Sequence, residues 1–362
     1  MKIGIITTHH ALNCGAVLQA YASQFFLTNL GHQVEFIDYE EPYKRPLRNY
    51  ISKSLIKTFH NWQDLYNGYK YKRRGEFNEI LNIGPIHYTD INELKKNPPK
   101  YDLYYAGSDQ IWTVASRKKV VRPNYLDFGD DTVKRISYAA SLGQGIVPEF
   151  MKDEIKGLLL KFNHISVRET SGVKVIQNII GDYKKVHHVV DPTLLLTAKD
   201  YQSIVEKVNT MDNFIVCYSL AAYKDEHIKM LTYIQEKTGL PIKNLRNPDN
   251  CIRLKKAQNI IVTPYTWLGY IKKCNLVICT SFHAVVFSLI FHKPFVVVSP
   301  YVNKRIMSLL SLVELEDRFI EHFNEQKIDL LLKQKIDWKD VDNKLAKNRE
   351  SSIDYLINAI NN

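Results

Sequence analysis

The hydrophobic positions of this chain form short continuous runs, and the segments between them have helical length. In residues 275–299, the apolar runs Leu276–Cys279 and Phe295–Val298 flank a second apolar stretch at 285–291. Continuous apolar runs of four or five residues are typical of parallel strands that are buried on both faces. The pattern therefore predicts a buried strand, a short helix and another buried strand.

The start of the chain has the same organisation. Residues 1–8 predict a strand, residues 16–27 an amphipathic helix that ends near Gly31, and residues 34–39 a second strand. Further strands are predicted at 101–106, 135–140, 164–167, 186–190, 214–219, 242–245 and 259–262. Strands that alternate with helices predict an α/β fold with parallel sheets. The chain has no G-x-G-x-x-G sequence, so the dinucleotide fingerprint is absent.

The length of 362 residues exceeds what one hydrophobic core usually supports, which predicts two Rossmann-like lobes. We place the N-terminal lobe at 1–198, the C-terminal lobe at 199–335 and a charged helical tail at 336–362, packed back across the lobes. Residues 40–100 have few strand signals, and we interpret them as basic helices and loops inserted after the second strand.

That insertion carries apolar residues at helical spacing with basic residues between them. The apolar positions are Leu47, Ile51, Leu55 and Phe59, and the basic ones include Arg48, Lys53 and Lys57. A solvated basic face on a packed helix is the favoured interpretation. A peripheral membrane contact is the alternative.

The composition is that of a soluble globular protein, with 45% hydrophobic and 24% charged residues. The net charge of +11 favours acidic partners, and the absence of a nucleic-acid motif favours small phosphorylated substrates or a membrane face over nucleic acid. The first strand is too short for a signal peptide and no apolar run has the length of a membrane span. We therefore expect a cytoplasmic protein, with the inner face of the membrane as the alternative.

The five cysteines are odd in number and widely spaced, without a CxxC pair. They predict neither a disulfide framework nor a zinc cluster. We expect no metal site, and hence activity that survives chelation. Cys217 and Cys279 lie in apolar runs and are predicted core residues; Cys14 as a nucleophile is a minority alternative.

The polar residues between the first strand and helix of the 275–299 unit are candidates for an anion site. Thr280, Ser281 and His283 follow the strand directly, where a helix N-terminus offers free N–H groups. The alternative for Thr280 and Ser281 is simple helix capping. For His283 it is an ordinary polar contact, although its titration range suits proton transfer.

A second candidate turn follows the strand at 101–106. Gly107, Ser108, Asp109 and Gln110 suggest a turn that faces a ligand, and the alternative is a turn in which Asp109 caps a helix. Arg168 and Glu169 follow the strand at 164–167.

Together these segments resemble the polysaccharide pyruvyl transferase family. The resemblance is carried by NCGAVLQA (13–20), GSDQIW (107–112), SYAAS (137–141), SVRE (166–169), DPTLLL (191–196) and SFHA (281–284). One departure is Ala284, where the family usually has glycine.

The resemblance implies a GT-B-like architecture with the site in the cleft between the lobes. It further implies transfer of the pyruvyl group of phosphoenolpyruvate to two hydroxyls of a hexose, with a cyclic ketal and phosphate as products. Phosphoenolpyruvate is then a co-substrate, and no further cofactor is expected. The acceptor is a hexose-containing glycan, or a nucleotide-sugar or lipid-linked precursor. The alternatives are a GT-B sugar-nucleotide glycosyltransferase and a non-catalytic glycan-binding protein.

The resemblance and the strand-end positions together assign roles. Expected donor-binding residues are Arg168, Thr280, Ser281, His283, Asn13 and Gly15; expected acceptor-binding residues are Ser108, Asp109, Gln110 and Glu169. Catalysis is expected from His283 as general acid or phosphate-bound imidazolium, from Arg168, and from Asp109. Glu169 is an alternative base, or it simply pairs with a nearby basic residue.

Overall fold

The computed structural model describes residues 1–40, 75–114, 118–209, 213–220, 224–248, 253–299 and 301–362. The predicted basic helix at 47–59, and the membrane contact predicted for it, lie outside the described residues.

The first lobe contains a parallel sheet with the strand order β3-β2-β1-β4-β5. Its strands are β1 (Lys2–Ile6), β2 (Gln33–Tyr39), β3 (Ile83–Tyr88), β4 (Leu103–Ala106) and β5 (Lys134–Ser137). A parallel pair, β6 (Ile165–Val167) and β7 (Val186–His188), continues this sheet through bridges from Ile136 to His164 and from Ala140 to Val167. The carboxyl ends of all these strands therefore meet at one edge of the lobe.

The helices of this lobe are α1 (Cys14–Asn29), α2 (Ile91–Lys96), α3 (Lys152–Leu159) and α4 (Thr170–Ile180). Helix α1 is buried along most of its length, because it packs between its own sheet and the second lobe. One apolar cluster accordingly joins Val17 and Leu18 of α1 to residues of the second lobe such as Trp267.

The second lobe has a six-stranded parallel sheet with the order β10-β9-β8-β11-β12-β13. Its strands are β8 (Ile215–Tyr218), β9 (Ile242–Arg246), β10 (Gln258–Ile261), β11 (Leu276–Cys279), β12 (Phe295–Val298) and β13 (Phe319–Ile320). Its helices are α5 (Asp225–Thr238), α6 (Pro264–Lys273), α7 (Phe282–Ile290), α8 (Lys304–Val313) and α9 (Glu325–Lys333). The prediction of two α/β lobes with parallel sheets is confirmed.

The last helix, α10 (Trp338–Asn361), contacts both lobes. On the N-terminal side, the Ser352 hydroxyl accepts a hydrogen bond from the Val190 backbone at 3.0 Å. On the other side, Asp342 lies 2.9 Å from the imidazole of His292, which belongs to the second lobe.

Two strands differ from the sequence-based expectation. Strand β3 lies inside the region interpreted as helices and loops. Its sequence, IGPIHY, contains glycine and proline, and most of its side chains are partly or fully exposed at the edge of the sheet. Strand β13 has two residues, which is too short for any periodicity. Hydrophobic patterns identify buried strands, and neither of these has the required pattern.

Within the described ranges, the helices are either too short or too polar to cross a lipid bilayer.

Candidate active site

The hydroxyl groups between β11 and α7 serve the local backbone. Ser281 caps α7, since its Oγ accepts a hydrogen bond from the Ala284 backbone at 3.4 Å. Thr280 Oγ1 accepts one from the Leu220 backbone at 3.2 Å and lies 3.1 Å from Ser219 Oγ. Capping and loop support thus account for both residue types, and a contact with a ligand stays a prediction. Ala284, at the family's glycine position, is fully buried.

His283 lies in the first turn of α7, where the two lobes meet. Its side chain is 7% exposed, and its Nε2 lies 3.6 Å from Asp191 Oδ2 without a hydrogen-bond partner in the described structure. On the opposite side it contacts Gly15 of α1. A Cβ added at Gly15 would lie 2.3 Å from His283 Nδ1, so only glycine leaves room for this imidazole.

Arg168, directly after β6, is held from several sides. Its Nη1 donates to Asp191 Oδ2 at 2.7 Å and its Nε to Glu169 Oε1 at 3.1 Å. Its Nη2 lies 3.8 Å from Asp109 Oδ1 and has no hydrogen-bond partner in the described part of the chain. Burial lowers the pKa of Arg168, but the neighbouring carboxylates outweigh burial and raise it, so the guanidinium stays charged. It also lies 4.2 Å from the Phe282 ring centre, in cation–π range.

Asp191 is the centre of the site, and the sequence analysis did not propose it as a site residue. Its Oδ2 accepts from Arg168 and from Ser108 Oγ at 3.2 Å, while its Oδ1 accepts from Thr193 Oγ1 at 2.6 Å. Burial raises the pKa of this carboxyl, but His283 and Arg168 outweigh burial and hold the pKa well below its ordinary value. The sequence feature that could have identified Asp191 is its position shortly after β7, within the DPTLLL segment at 191–196.

Arg305, in the first turn of α8, is the second site residue that sequence reasoning missed. Its Nε is buried without a hydrogen-bond partner among the described residues. Burial and then the charge of Arg168 lower its pKa, while Asp109 and Glu169 act in the opposite direction. Arg305 therefore faces the same carboxylate cluster as Arg168. No motif distinguishes it from the other basic residues of the chain.

The remaining predicted acceptor residues surround this cluster. Ser108 is buried and donates to the Ala139 carbonyl at 2.9 Å as well as to Asp191. Asp109 has a positive φ of 63°. Glu169 is 2% exposed and accepts from Ser141 Oγ at 2.7 Å in addition to Arg168. The expected alternative for Glu169, pairing with a basic neighbour, is the geometry found.

Asn13 and Gln110 lie at the margins of the site. Asn13 caps α1, because its Oδ1 accepts from the backbone of Gly15 at 2.9 Å and of Ala16 at 3.3 Å. Gln110 is partly exposed, with its Oε1 beside Gly143. The structure thus gathers Gly15, Ser108, Asp109, Arg168, Glu169 and His283 around Asp191, whereas Asn13, Thr280 and Ser281 are engaged in caps and loop contacts.

Three buried donors around one acidic cluster define what this site can do. Arg168 Nη2, Arg305 Nε and His283 Nε2 are the nitrogens concerned. Buried donors normally have acceptors, so an external group with several oxygen atoms would complete this arrangement. An imidazole that shares Asp191 with the Arg168 guanidinium can also transfer a proton to a bound anion.

The family model described as polysaccharide pyruvyl transferase matches residues 13–300, a span that includes every candidate site residue except Arg305. The protein belongs to the polysaccharide pyruvyl transferase family. Among curated proteins, none matches the chain.

Solved structures show the same two-lobed architecture. A putative UDP-N-acetylglucosamine 2-epimerase from Listeria monocytogenes is 12% identical with a TM-score of 0.53, over 96% of this chain and 90% of its own. The UDP-GlcNAc 2-epimerase from Methanocaldococcus jannaschii is 12% identical with a TM-score of 0.51, over 93% of both chains. An S. aureus MnaA–UDP co-structure is 13% identical with a TM-score of 0.51, over 100% and 98%. At such identities the similarity shows the fold alone, which is α/β and GT-B-like.

Proposed function

We propose that this protein transfers the pyruvyl group of phosphoenolpyruvate to two hydroxyls of a hexose in a cell-surface glycan or its precursor, and releases phosphate. The observation that carries the proposal is a set of three buried nitrogens, on Arg168, Arg305 and His283, that have no hydrogen-bond partner among the described residues. Phosphoenolpyruvate carries a carboxylate and a phosphate, and guanidinium groups suit both.

Both arginines contribute to donor binding, each through a different group. Because Glu169 and Asp191 occupy Nε and Nη1 of Arg168, this residue offers Nη2 to the donor and not a full fork. Arg305 supplies the second cation. The carboxylates fix the orientation of Arg168, so the donor meets a rigid, preorganised N–H group.

His283 is then the general acid. Addition of an acceptor hydroxyl to C2 of the enol forms a C–O bond, and C3 takes a proton from the His283 imidazolium. The hydroxyl proton goes to a base, for which Asp109 is favoured over Glu169 because Glu169 is already bound to Ser141 and Arg168. Departure of phosphate from C2 gives an oxygen-stabilised cation, and the second hydroxyl closes the ketal and gives its proton to the His283 imidazole, which becomes an imidazolium again.

A phosphate-release screen tests this function. The full-length protein is incubated with phosphoenolpyruvate and a panel of galactosides, glucosides and N-acetylmannosaminides. We expect acceptor-dependent phosphate release and a product heavier by a pyruvyl ketal in mass spectrometry. Transfer of label from a nucleotide sugar without any use of phosphoenolpyruvate would identify a glycosyltransferase instead. Glycan binding without donor affinity would identify a binding protein.

A further inference from the structure

A group of histidines lies at the carboxyl edge of the first sheet, apart from the anion site. His9 and His10 follow β1, and Asp38 lies near the end of the neighbouring strand β2. His87 on β3 is the register partner of Asp38. The parallel arrangement thus brings together side chains that are well separated in sequence.

Two of the separations between the potential ligand atoms are close to those that a tetrahedral metal requires. His9 Nε2 and His10 Nε2 lie 3.4 and 2.9 Å from Asp38 Oδ1, and all three ligand atoms lie within 4.8 Å of one another. Tetrahedral zinc with ligands at about 2.0–2.1 Å separates neighbouring ligand atoms by roughly 3.3 Å. The distance from His9 Nε2 to Asp38 Oδ1 already fits this value. The distance from His10 Nε2 to Asp38 Oδ1 must lengthen by a few tenths of an ångström.

The outer contacts orient these groups as they would around a metal. His9 is fully buried, and its Nδ1 lies 3.2 Å from the Thr7 carbonyl, which can only accept. The neutral ring has one N–H for two acceptors, and with the hydrogen on Nδ1 the Nε2 lone pair faces the Asp38 carboxylate. Two acceptors then face each other unless a second proton on the ring or a metal ion lies between them.

The second oxygen of Asp38 is also held. His87 Nδ1 lies 2.9 Å from Asp38 Oδ2, which leaves Oδ1 directed at His9 and His10. A metal-binding histidine usually donates its other N–H to a carbonyl or carboxylate, and ligating carboxylates are themselves hydrogen-bonded. The Thr7 and His87 contacts reproduce both features.

We propose that His9, His10 and Asp38 bind one divalent transition metal of the zinc class, with a coordination position left for a non-protein ligand. Two imidazoles and one carboxylate suit zinc and its neighbours, whereas magnesium and calcium prefer oxygen ligands alone. Three protein ligands with a free position are characteristic of zinc sites that take water or substrate. The sequence analysis expected no metal, because cysteine and histidine spacing does not show ligands contributed by adjacent strands.

This site is connected to the anion site but distinct from it. Thr7 Oγ1 donates to the Ser108 carbonyl at 3.1 Å, and Ser108 Oγ donates to Asp191. None of the three ligands contacts Arg168, Arg305 or His283 in the contacts described above. Metal binding can therefore be measured without turnover, and its outcome is independent of the proposed pyruvyl transfer.

The test uses the untagged full-length protein, stripped with a chelator and dialysed. Calorimetric titration with Zn²⁺ should give one site per chain, and Co²⁺ should give the visible absorption of a tetrahedral complex. Asp38→Asn and His10→Ala should weaken Zn²⁺ binding at least 100-fold, and His87→Gln about 10-fold, the scale for loss of an outer-shell partner. The matched control is His292→Gln, which removes an exposed imidazole 2.9 Å from Asp342 and should leave the affinity unchanged.

Circular dichroism and the melting temperature of the metal-free proteins establish that each variant folds. Zn²⁺ bound at well below one equivalent, or an affinity that is equal in wild type, Asp38→Asn and His10→Ala, would overturn the proposal. The cluster would then be a set of protonated histidines around Asp38, and Asp38→Asn would lower the stability of the metal-free protein without affecting any metal titration.

Discussion

Gly15 offers the sharpest test of the contact between the lobes. It is the second residue of α1, and its Cα faces the imidazole of His283 from the other lobe. Gly15→Ala adds one methyl group at that contact. Because Gly15 lies within a helix, alanine itself suits the backbone, and the effect of the substitution comes from the collision.

The size of the collision follows from the geometry. The new Cβ would lie 2.3 Å from His283 Nδ1, 2.5 Å from Cγ and 2.7 Å from Cβ, whereas ordinary contacts begin at 3.4 Å. The imidazole, or α1 with it, must therefore move by about 1 Å. A displacement of this size in a catalytic group costs on the order of 100-fold in rate. We expect kcat for phosphate release to fall by about that factor.

The assay compares Gly15→Ala with a second helical glycine in the same lobe. Gly157 of α3 has no atom within 4 Å of an added Cβ, so Gly157→Ala should keep full activity and gain about 0.5–1 kcal/mol of stability. Phosphate release from phosphoenolpyruvate with the best hexoside of the screen gives kcat and KM, and circular dichroism gives the folded fraction.

Unchanged kcat in a well-folded Gly15→Ala protein would show that the position of His283 does not govern turnover. Equal losses in both glycine variants would show a general effect on the helices instead. Either result would contradict the expected effect of the Gly15–His283 contact on kcat.

Other substitutions test the remaining parts of the site and the fold. His283→Ala should lower kcat by two or more orders of magnitude with the fold intact, the usual scale for loss of a general acid; near-normal phosphate release would contradict that role. Arg168→Lys should raise the donor KM and also lower the melting temperature, because one ammonium cannot reproduce the separate Nε and Nη1 donors that bind Glu169 and Asp191. Phosphate-release kinetics and thermal melts measure the two effects, and an unchanged KM counts against donor binding. Arg305→Gln should raise the donor KM about 10-fold with little change in melting temperature, since its Nε has no partner among the described residues; a large loss of stability would instead indicate a structural role. Asp127→Asn should lower the melting temperature at pH 7 by several degrees. Burial raises the pKa of this carboxyl, but ion pairs with Lys161, Lys95 and Arg122 outweigh burial and lower it, so its stabilisation is fully present above a pH of about 4 and declines as the pH falls further. A deficit of the variant that stays undiminished between pH 4 and pH 2 would contradict this.

Most of the predicted strands are buried on both faces; β10, predicted at 259–262, is a partly exposed edge strand. Parallel strands such as β11 and β12 appear as uninterrupted apolar runs because helices cover both sides of the sheet. Strand β3 escaped prediction because it is an exposed edge strand with Gly84 and Pro85 inside it. An uninterrupted apolar run identifies a strand in this sequence whether the strand is central or, like β10, at an edge.

The site residues also fall into two groups, those that the sequence could identify and those that it could not. Residues that follow a strand directly, such as Arg168 and His283, were predictable because the carboxyl ends of parallel strands meet at one edge. Asp191 follows β7 and satisfies the same criterion, so that logic could have included it. Arg305 could not be found, because its place beside Arg168 depends on how α8 packs against the other lobe, and a single arginine at a helix start carries no such information.

The charges of the site explain why it needs so many carboxylates. Arg168 and Arg305 bring two positive charges, and Asp109, Glu169 and Asp191 bring three negative ones. A site with this balance cannot attract an anion by net charge. Instead, Glu169 and Asp191 are consumed in fixing the guanidinium of Arg168, with each carboxylate at hydrogen-bond distance from it. On the proposed function, a donor anion therefore binds through Arg168 Nη2 and Arg305 Nε, which have no hydrogen-bond partner among the described residues, and not through an excess of positive charge.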